Sequence, residues 1–93
     1  MSQERSHSAT LEICNKRGLH ARASARFVET ASRFDANVRV SKDGMEVIGT
    51  SIMGLMLLAA SKGDKIDIRV SGPDAQAALD ALRTLVAARF DED

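Results

Sequence analysis

The sequence contains neither tryptophan nor tyrosine, and three phenylalanines are its only aromatic residues. An RNA-binding sheet that stacks bases on aromatic side chains is therefore poorly supported. Lysine plus arginine and aspartate plus glutamate number 13 each, so the chain lacks the basic excess that gives non-specific affinity for nucleic acid or an anionic membrane. We accordingly expect no nucleic-acid partner and no membrane insertion.

Cysteine and long apolar runs are also scarce. The only cysteine, Cys14, leaves no internal disulfide, which fits a reducing, cytoplasmic location. Its place at the end of a strand-like segment indicates a small buried residue. No apolar run is long enough to span a bilayer, and residues 1–8 lack the apolar region of a secretory signal. We expect neither a metal nor a cofactor, because His7, Cys14 and His20 lack zinc-site spacing and the glycines form no Walker motif.

Hydrophobic periodicity predicts the order β-α-β-β-α-β-α within one domain over residues 9–90. Four segments alternate apolar and polar residues as half-buried strands do: 9–14, 36–41, 45–47 and 65–70. Asp43-Gly44 predicts a hairpin, and helical spacing begins at Ala21 and again at Ile52. The alternation fits an antiparallel sheet with one covered face, which places the chain in the α+β class with two layers.

We expect both ends of the chain to be flexible. Residues 1–8 have the composition of a flexible polar tail. The last helix starts at Ser71-Gly72-Pro73-Asp74, which combines a cap serine, a first-turn proline and an acid three positions after the serine. Its apolar residues share one stripe: Ala75, Ala78, Leu79, Leu82, Val86 and Phe90. Residues 91–93 form an acidic end that should fray, because its charges lie at the negative end of the helix dipole.

The candidate functional site is Gly18-Leu19-His20-Ala21-Arg22. Gly18 allows a tight turn and a close approach by a bulky group, and the helix that starts at Ala21 offers backbone N–H groups to an anion. Arg22 can donate a fork of hydrogen bonds to phosphate oxygens. The helix end and Arg22 both favour an uncharged ring at His20, the form that attacks phosphorus. The alternatives are a phosphohistidine and a surface histidine without chemistry.

Two motifs resemble those of the HPr family, the histidine phosphocarriers of bacterial phosphotransferase systems. Residues 15–24 (NKRGLHARAS) resemble the family's active-site signature, and residues 50–56 (TSIMGLM) resemble its serine-site signature. The resemblance covers residues 9–90 and implies an open-faced two-layer β-sandwich, a four-stranded antiparallel sheet covered on one face by three helices. It implies that Enzyme I, which draws on phosphoenolpyruvate, phosphorylates Nδ1 of His20, that Arg22 is the phosphate partner, and that EIIA-type proteins receive the group.

Ala23 departs from the family, because many members carry proline after the active-site arginine. Members of the nitrogen-type branch often lack that proline, so the resemblance leaves sugar uptake and a nitrogen-type regulatory relay as alternatives. Many members also end near the active site. This chain continues to Asp93, so we expect no role for its C-terminal carboxylate.

Ser51 has two compatible interpretations. Serine is a preferred residue at a helix start, so Ser51 is first of all a candidate N-cap. The resemblance adds phosphorylation by an ATP-dependent HPr kinase/phosphorylase. A phosphate at this position is locally favourable and would act by adding charge to a docking surface.

The short helix after Ser51 contains more apolar residues than one helix can bury. We expect Met53 and Leu57 to be exposed. We expect four others to face the core: Ile52, Leu55, Met56 and Ala59. An exposed apolar face of this kind fits a small, transient docking surface for Enzyme I and EIIA-type proteins. The candidate docking residues are Arg26, Ile52, Met53, Met56 and Leu57, with Arg22 and Arg33 on a basic rim.

The alternative function is a non-catalytic regulatory binding module that acts through residues 52–58. We expect a monomer, because no long hydrophobic stripe is left uncovered.

Overall fold

The computed structural model describes residues 6–92 and confirms the α+β class and the order of the elements. The elements are β1 (Ser6–Glu12), α1 (Ala21–Ala31), β2 (Asn37–Lys42), β3 (Met45–Ile48), α2 (Ile52–Leu57), β4 (Lys65–Ser71), α3 (Ala75–Ala87) and a 3-10 turn (Arg89–Asp91). None of the helices within residues 6–92 is long and apolar enough to cross a membrane.

The four strands form one antiparallel sheet in the order β1-β4-β2-β3. The predicted hairpin joins β2 to β3, and Asp43 and Gly44 both have positive φ (51° and 85°), as a two-residue hairpin turn requires. On β4, Ile66, Ile68 and Val70 are buried while the residues between them are exposed. One face of the sheet is therefore covered and the other is open to solvent, as the alternation predicted.

The helices cover the apolar face of the sheet. On α1, Ala23, Phe27 and Ala31 are buried at helical spacing, and α1 packs on both α2 and α3. The whole predicted stripe of the last helix, from Ala75 to Phe90, is buried. Cys14, which we expected to be buried, is half-buried, and its thiol donates to the carbonyl of Val86 at 3.2 Å.

The first strand begins earlier than the alternation of side chains predicted. Ser6, His7 and Ser8 belong to β1 and pair with Ser71, Val70 and Arg69 of β4, so they are not part of a flexible tail. The pairing depends on backbone N–H and C=O groups, which any side chain leaves available. Residues 1–5, the rest of the predicted tail, and Asp93 lie outside the described residues.

The start of α3 corrects the predicted capping box. Helical geometry begins only at Ala75, Asp74 is the cap residue, and the Asp74 side chain caps no α3 amide. Its Oδ2 instead accepts from the N–H of Asp35 at 2.8 Å, while the N–H of Asp74 donates to the carbonyl of Asp35 at 3.0 Å. The acid therefore joins the start of α3 to the segment that leads into β2.

The second helix is shorter than predicted, and its exposed side is wider. It ends at Leu57, because Ala59 turns the chain with a φ of 52°. Leu55 is buried as expected, and Met53 and Leu57 are exposed as expected. Ile52 and Met56, which we placed in the core, are 40% and 43% exposed. Ala59 is exposed as well, because a helix of one and a half turns contributes only Leu55 and the following Leu58 to the core.

Candidate functional site

His20 is the N-cap residue of α1. Its extended backbone (φ −76°, ψ −177°) ends the β1–α1 loop, and its carbonyl accepts from the N–H of Ser24 at 2.9 Å. The Nδ1 atom accepts from the N–H of Arg22 at 3.3 Å. About a quarter of the His20 side chain is exposed (24%), so the ring lies at the surface with Nδ1 directed at the first turn of the helix.

Gly18 places the loop against the chain that follows α2. Its φ is +66°, and a Cβ added here would overlap the carbonyl oxygen of Ala60 and lie 3.0 Å from Cα of Ser61. The neighbouring N–H of Leu19 donates to that same Ala60 carbonyl at 2.9 Å. The tight turn that we expected at Gly18 is present, and the absence of a side chain there also allows the loop to pack against the backbone of Ala60 and Ser61.

A carboxylate from the far end of the chain completes the site. Oε2 of Glu92 lies 2.7 Å from Nε2 of His20. Nδ2 of Asn15 donates to Oε1 of Glu92 at 3.1 Å and to the carbonyl of Gly18 at 2.9 Å. Sequence reasoning missed both Asn15 and Glu92 as site residues.

The C-terminal turn explains how Glu92 reaches His20, and it corrects the expectation of fraying for Asp91 and Glu92. Arg89, Phe90 and Asp91 all have positive φ values, of 58°, 55° and 62°, which reverse the chain after α3. This backbone is costly for residues other than glycine, and it is held by the completely buried ring of Phe90. One signal in the sequence could have indicated that the acids are held in place: Phe90 lies on the predicted buried stripe and directly precedes Asp91 and Glu92.

Basic residues surround the exposed side of His20. A groove of about 330 Å³ is lined by Lys16, Arg17, Arg22, Arg26, Asp91 and Glu92. Arg26 and Asp91 are 3.8 Å apart, and Ala21 and Arg22 are exposed in the first turn of α1. With four cations against two acids among its lining residues, this groove is favourable for an anion.

Ser51 and the predicted apolar docking residues lie on a second surface, whereas Arg26 lies in the groove near His20. Ser51 is the N-cap of α2, and its Oγ accepts from the N–H of Gly54 at 2.9 Å. The large exposed apolar side chains of β3 and α2 are Met45, Ile48, Ile52, Met53, Met56 and Leu57, and we call them the apolar patch. Because α2 packs on both α1 and β3, the α2 part of the apolar patch lies next to α1, the helix that His20 caps.

The arrangement suits nucleophilic attack on phosphorus. A hydrogen bond from the N–H of Arg22 to Nδ1 requires a lone pair on Nδ1. The N–H of Arg22 belongs to the first turn of α1, and N–H groups at a helix start can bind an anion. Within residues 6–92, no three His, Cys, Asp or Glu side chains converge as metal ligands do.

Comparisons with known proteins agree with this geometry. The family model for the PTS HPr component phosphorylation site matches residues 7–88. The phosphocarrier protein HPr of Xylella fastidiosa (strain Temecula1) is 51% identical over 83 residues, which cover 89% of this chain and 93% of the relative. The phosphocarrier protein NPr of Shewanella violacea is 44% identical over 80 residues, covering 86% and 88%.

Solved structures agree in fold. HPr-C-His from Thermoanaerobacter tengcongensis superposes with a TM-score of 0.90 at 42% identity, covering 94% of this chain and 98% of that one. An HPr from Bacillus anthracis gives a TM-score of 0.83 at 42% identity, covering 87% and 96%. With a family model, relatives and fold in agreement, the chain belongs to the HPr family of phosphocarrier proteins of the phosphotransferase system.

Proposed function

We propose that Nδ1 of His20 accepts the phosphoryl group, that phosphorylated Enzyme I supplies it, and that an EIIA-type protein receives it. The observation that carries the proposal is the direction of Nδ1, which accepts from the N–H of Arg22 at the start of α1. A phosphoryl group on Nδ1 would displace that contact and put its own oxygens against the same amide. The helix end and Arg22 would then stabilise the transferred charge.

A carrier must release the group as readily as it accepts it. The interaction of an exposed anion with a helix end is worth about 0.3–1 kcal/mol, and the His20 side chain is partly exposed. A contribution of this size orients the phosphoryl group without trapping it. The exposed position of Arg22 also allows a partner's side chains to compete for the phosphate oxygens.

The acceptor can be tested by phosphorylating purified protein with Enzyme I and phosphoenolpyruvate. We expect one acid-labile phosphoryl group on the wild-type chain and on His7→Ala, and none on His20→Ala. His7 is a matched control, because it is the only other histidine of the chain and lies on β1, away from the loop. Full phosphorylation of His20→Ala would reject His20 as the acceptor.

The apolar patch is our proposed docking surface for Enzyme I and EIIA-type proteins, and Arg26, in the groove near His20, is a further proposed docking residue. Met53 is 75% exposed and is the most exposed apolar residue of the patch, so Met53→Asp should weaken binding to both partners without unfolding the domain. Ala77→Asp, on the exposed side of α3, is the matched control. Equal affinities for the two variants in a calorimetric titration would exclude the patch as a docking surface.

Ser51 is our proposed regulatory phosphorylation site, to be modified by an HPr kinase/phosphorylase. It caps α2 at the border of the apolar patch, where an added charge would oppose docking without unfolding the helix start. Ser51→Asp should therefore bind Enzyme I more weakly than Ser51→Ala. Equal binding of the two variants would contradict this role.

Whether the phosphoryl group serves sugar uptake or nitrogen-type regulation depends on which EIIA protein receives it. The relatives include proteins named HPr and a protein named NPr, and no proline follows Arg22 here, a feature that this chain shares with many members of the nitrogen-type branch. We propose that the relay operates in the cytoplasm. Incubating the phosphorylated chain with sugar-type and nitrogen-type EIIA proteins and comparing the transfer rates distinguishes the two pathways.

A further inference from the structure

We propose that Glu92 is a positioning residue that selects Nδ1 of His20, rather than Nε2, as the phosphoryl acceptor. The inference rests on the proposed function and adds a residue from the last turn to it. The two ring nitrogens have different partners: Nε2 lies 2.7 Å from Oε2 of Glu92, and Nδ1 lies 3.3 Å from the N–H of Arg22.

These two partners fix one tautomer. A carboxylate oxygen accepts hydrogen bonds, so Nε2 carries the ring proton in this contact. A backbone N–H can only donate, so Nδ1 presents a lone pair to Arg22. Both contacts are satisfied only when the proton is on Nε2, and the lone pair that attacks phosphorus is then on Nδ1. The carboxylate also opposes reaction at Nε2, where a phosphoryl group would meet a like charge.

Glu92 is held on both of its oxygens, as a residue with a positioning role requires. Oε1 accepts from Nδ2 of Asn15, which is completely buried and also donates to the carbonyl of Gly18. The Glu92 side chain is only 14% exposed. Phe90, two residues earlier, fixes the turn by burying its ring. The carboxylate is therefore joined both to the core and to the loop that carries His20.

The transfer step balances without any further reactant. The lone pair on Nδ1 forms the N–P bond, while the bond from phosphorus to the donor's leaving atom breaks and its electron pair stays with the donor. The proton on Nε2 remains in the hydrogen bond to Oε2, so the positive charge gained by the ring faces a carboxylate. Onward transfer reverses the bonds, and the electron pair of the N–P bond returns to Nδ1.

The test compares Glu92→Ala with Glu29→Ala. Both variants remove one glutamate, but Glu29 lies on the exposed side of α1 and contacts neither ring nitrogen. Nitrogen NMR of the His20 ring reports the tautomer, and single-turnover phosphorylation by a phosphorylated donor reports the rate. We expect Glu92→Ala to raise the fraction of the Nδ1–H tautomer several-fold. The rate should fall roughly tenfold, which corresponds to about 1.4 kcal/mol, with little change in donor affinity.

A further readout is the position of the phosphate. Phosphorus–nitrogen NMR should show only the Nδ1 isomer in wild type and in Glu29→Ala, and a measurable Nε2 isomer in Glu92→Ala. An unchanged tautomer fraction and an unchanged rate in Glu92→Ala would overturn the inference. If wild type is not phosphorylated at His20 at all, the proposed function fails. The tautomer measurement needs no donor, so it separates that failure from a failure of Glu92.

Discussion

Replacing Gly18 with alanine should strongly destabilise the domain, because the glycine meets two separate requirements. Its φ of +66° costs an L-residue about 1–2 kcal/mol. An added Cβ would also overlap the Ala60 carbonyl oxygen and would lie 3.0 Å from Cα of Ser61. Moving that backbone apart breaks the buried hydrogen bond from the N–H of Leu19, at a cost of about 1–3 kcal/mol. We expect a total loss of about 2–5 kcal/mol in the free energy of unfolding.

Gly44→Ala separates the two requirements. Gly44 also has positive φ (85°), but an added Cβ there meets nothing within 4 Å, so only the cost of the left-handed backbone applies. Urea unfolding should place Gly18→Ala about 1–3 kcal/mol below Gly44→Ala. In thermal melts this difference corresponds to about 4–24 °C in Tm for a domain of this size. Equal stabilities would show that the loop can move away from Ala60 at no cost, and would refute the role of Gly18 as a close-packing residue.

Three further changes have outcomes that unfolding experiments can check. Ser51→Ala removes the cap of α2 and should lower the free energy of unfolding by about 1 kcal/mol in urea titrations, and no loss would contradict the cap. The hydrogen bond to Asp43, with the charges of Asp43 and Asp64, raises the pKa of Lys42 above its ordinary value of 10.5. The resulting stability is complete below 10.5 and is lost as pH rises through the raised pKa, so the Tm advantage of wild type over Lys42→Met should shrink only at strongly alkaline pH; a constant difference would contradict this. Phe90→Ala removes a completely buried ring and should cost about 3–5 kcal/mol in urea unfolding, whereas a loss below 1 kcal/mol would show that the last turn is not anchored.

The sheet and its two long helices could be predicted because their signals are local and repeated. On β4 the alternation around Ile66, Ile68 and Val70 indicates one buried face whichever strands lie beside it. The order β1-β4-β2-β3 has no such local signal in the sequence. We did not predict this order, because which strands pair depends on contacts between distant segments.

The errors occurred where backbone contacts decide the structure. Ser6 to Ser8 join β1 through main-chain pairing with β4, which their polar side chains do not indicate. The side chain of Asp74 binds the N–H of Asp35 rather than capping its own helix, and a sequence motif cannot show such a distant competitor. Ile52 and Met56 are exposed although both are apolar, because so short a helix turns only Leu55 towards the core, and hydrophobicity alone does not give which side of such a helix is buried.

The candidate site also has one part that local sequence signals predicted and one part that depends on distant contacts. The half formed by Gly18, His20 and Arg22 is local, so the motif and the helix start predicted it. The other half is Glu92, 72 residues from His20 in sequence, and it reaches the ring only after α3 has packed and Phe90 is buried. In our proposal, the amides that bind the phosphate therefore need little more than the first turn of α1, whereas the choice of ring nitrogen needs the complete core. If Glu92 has the role that we propose, local unfolding of the last turn would release Nε2 of His20 and leave the contact between Nδ1 and the N–H of Arg22 in place, so the stability of that turn would set the tautomer of the ring.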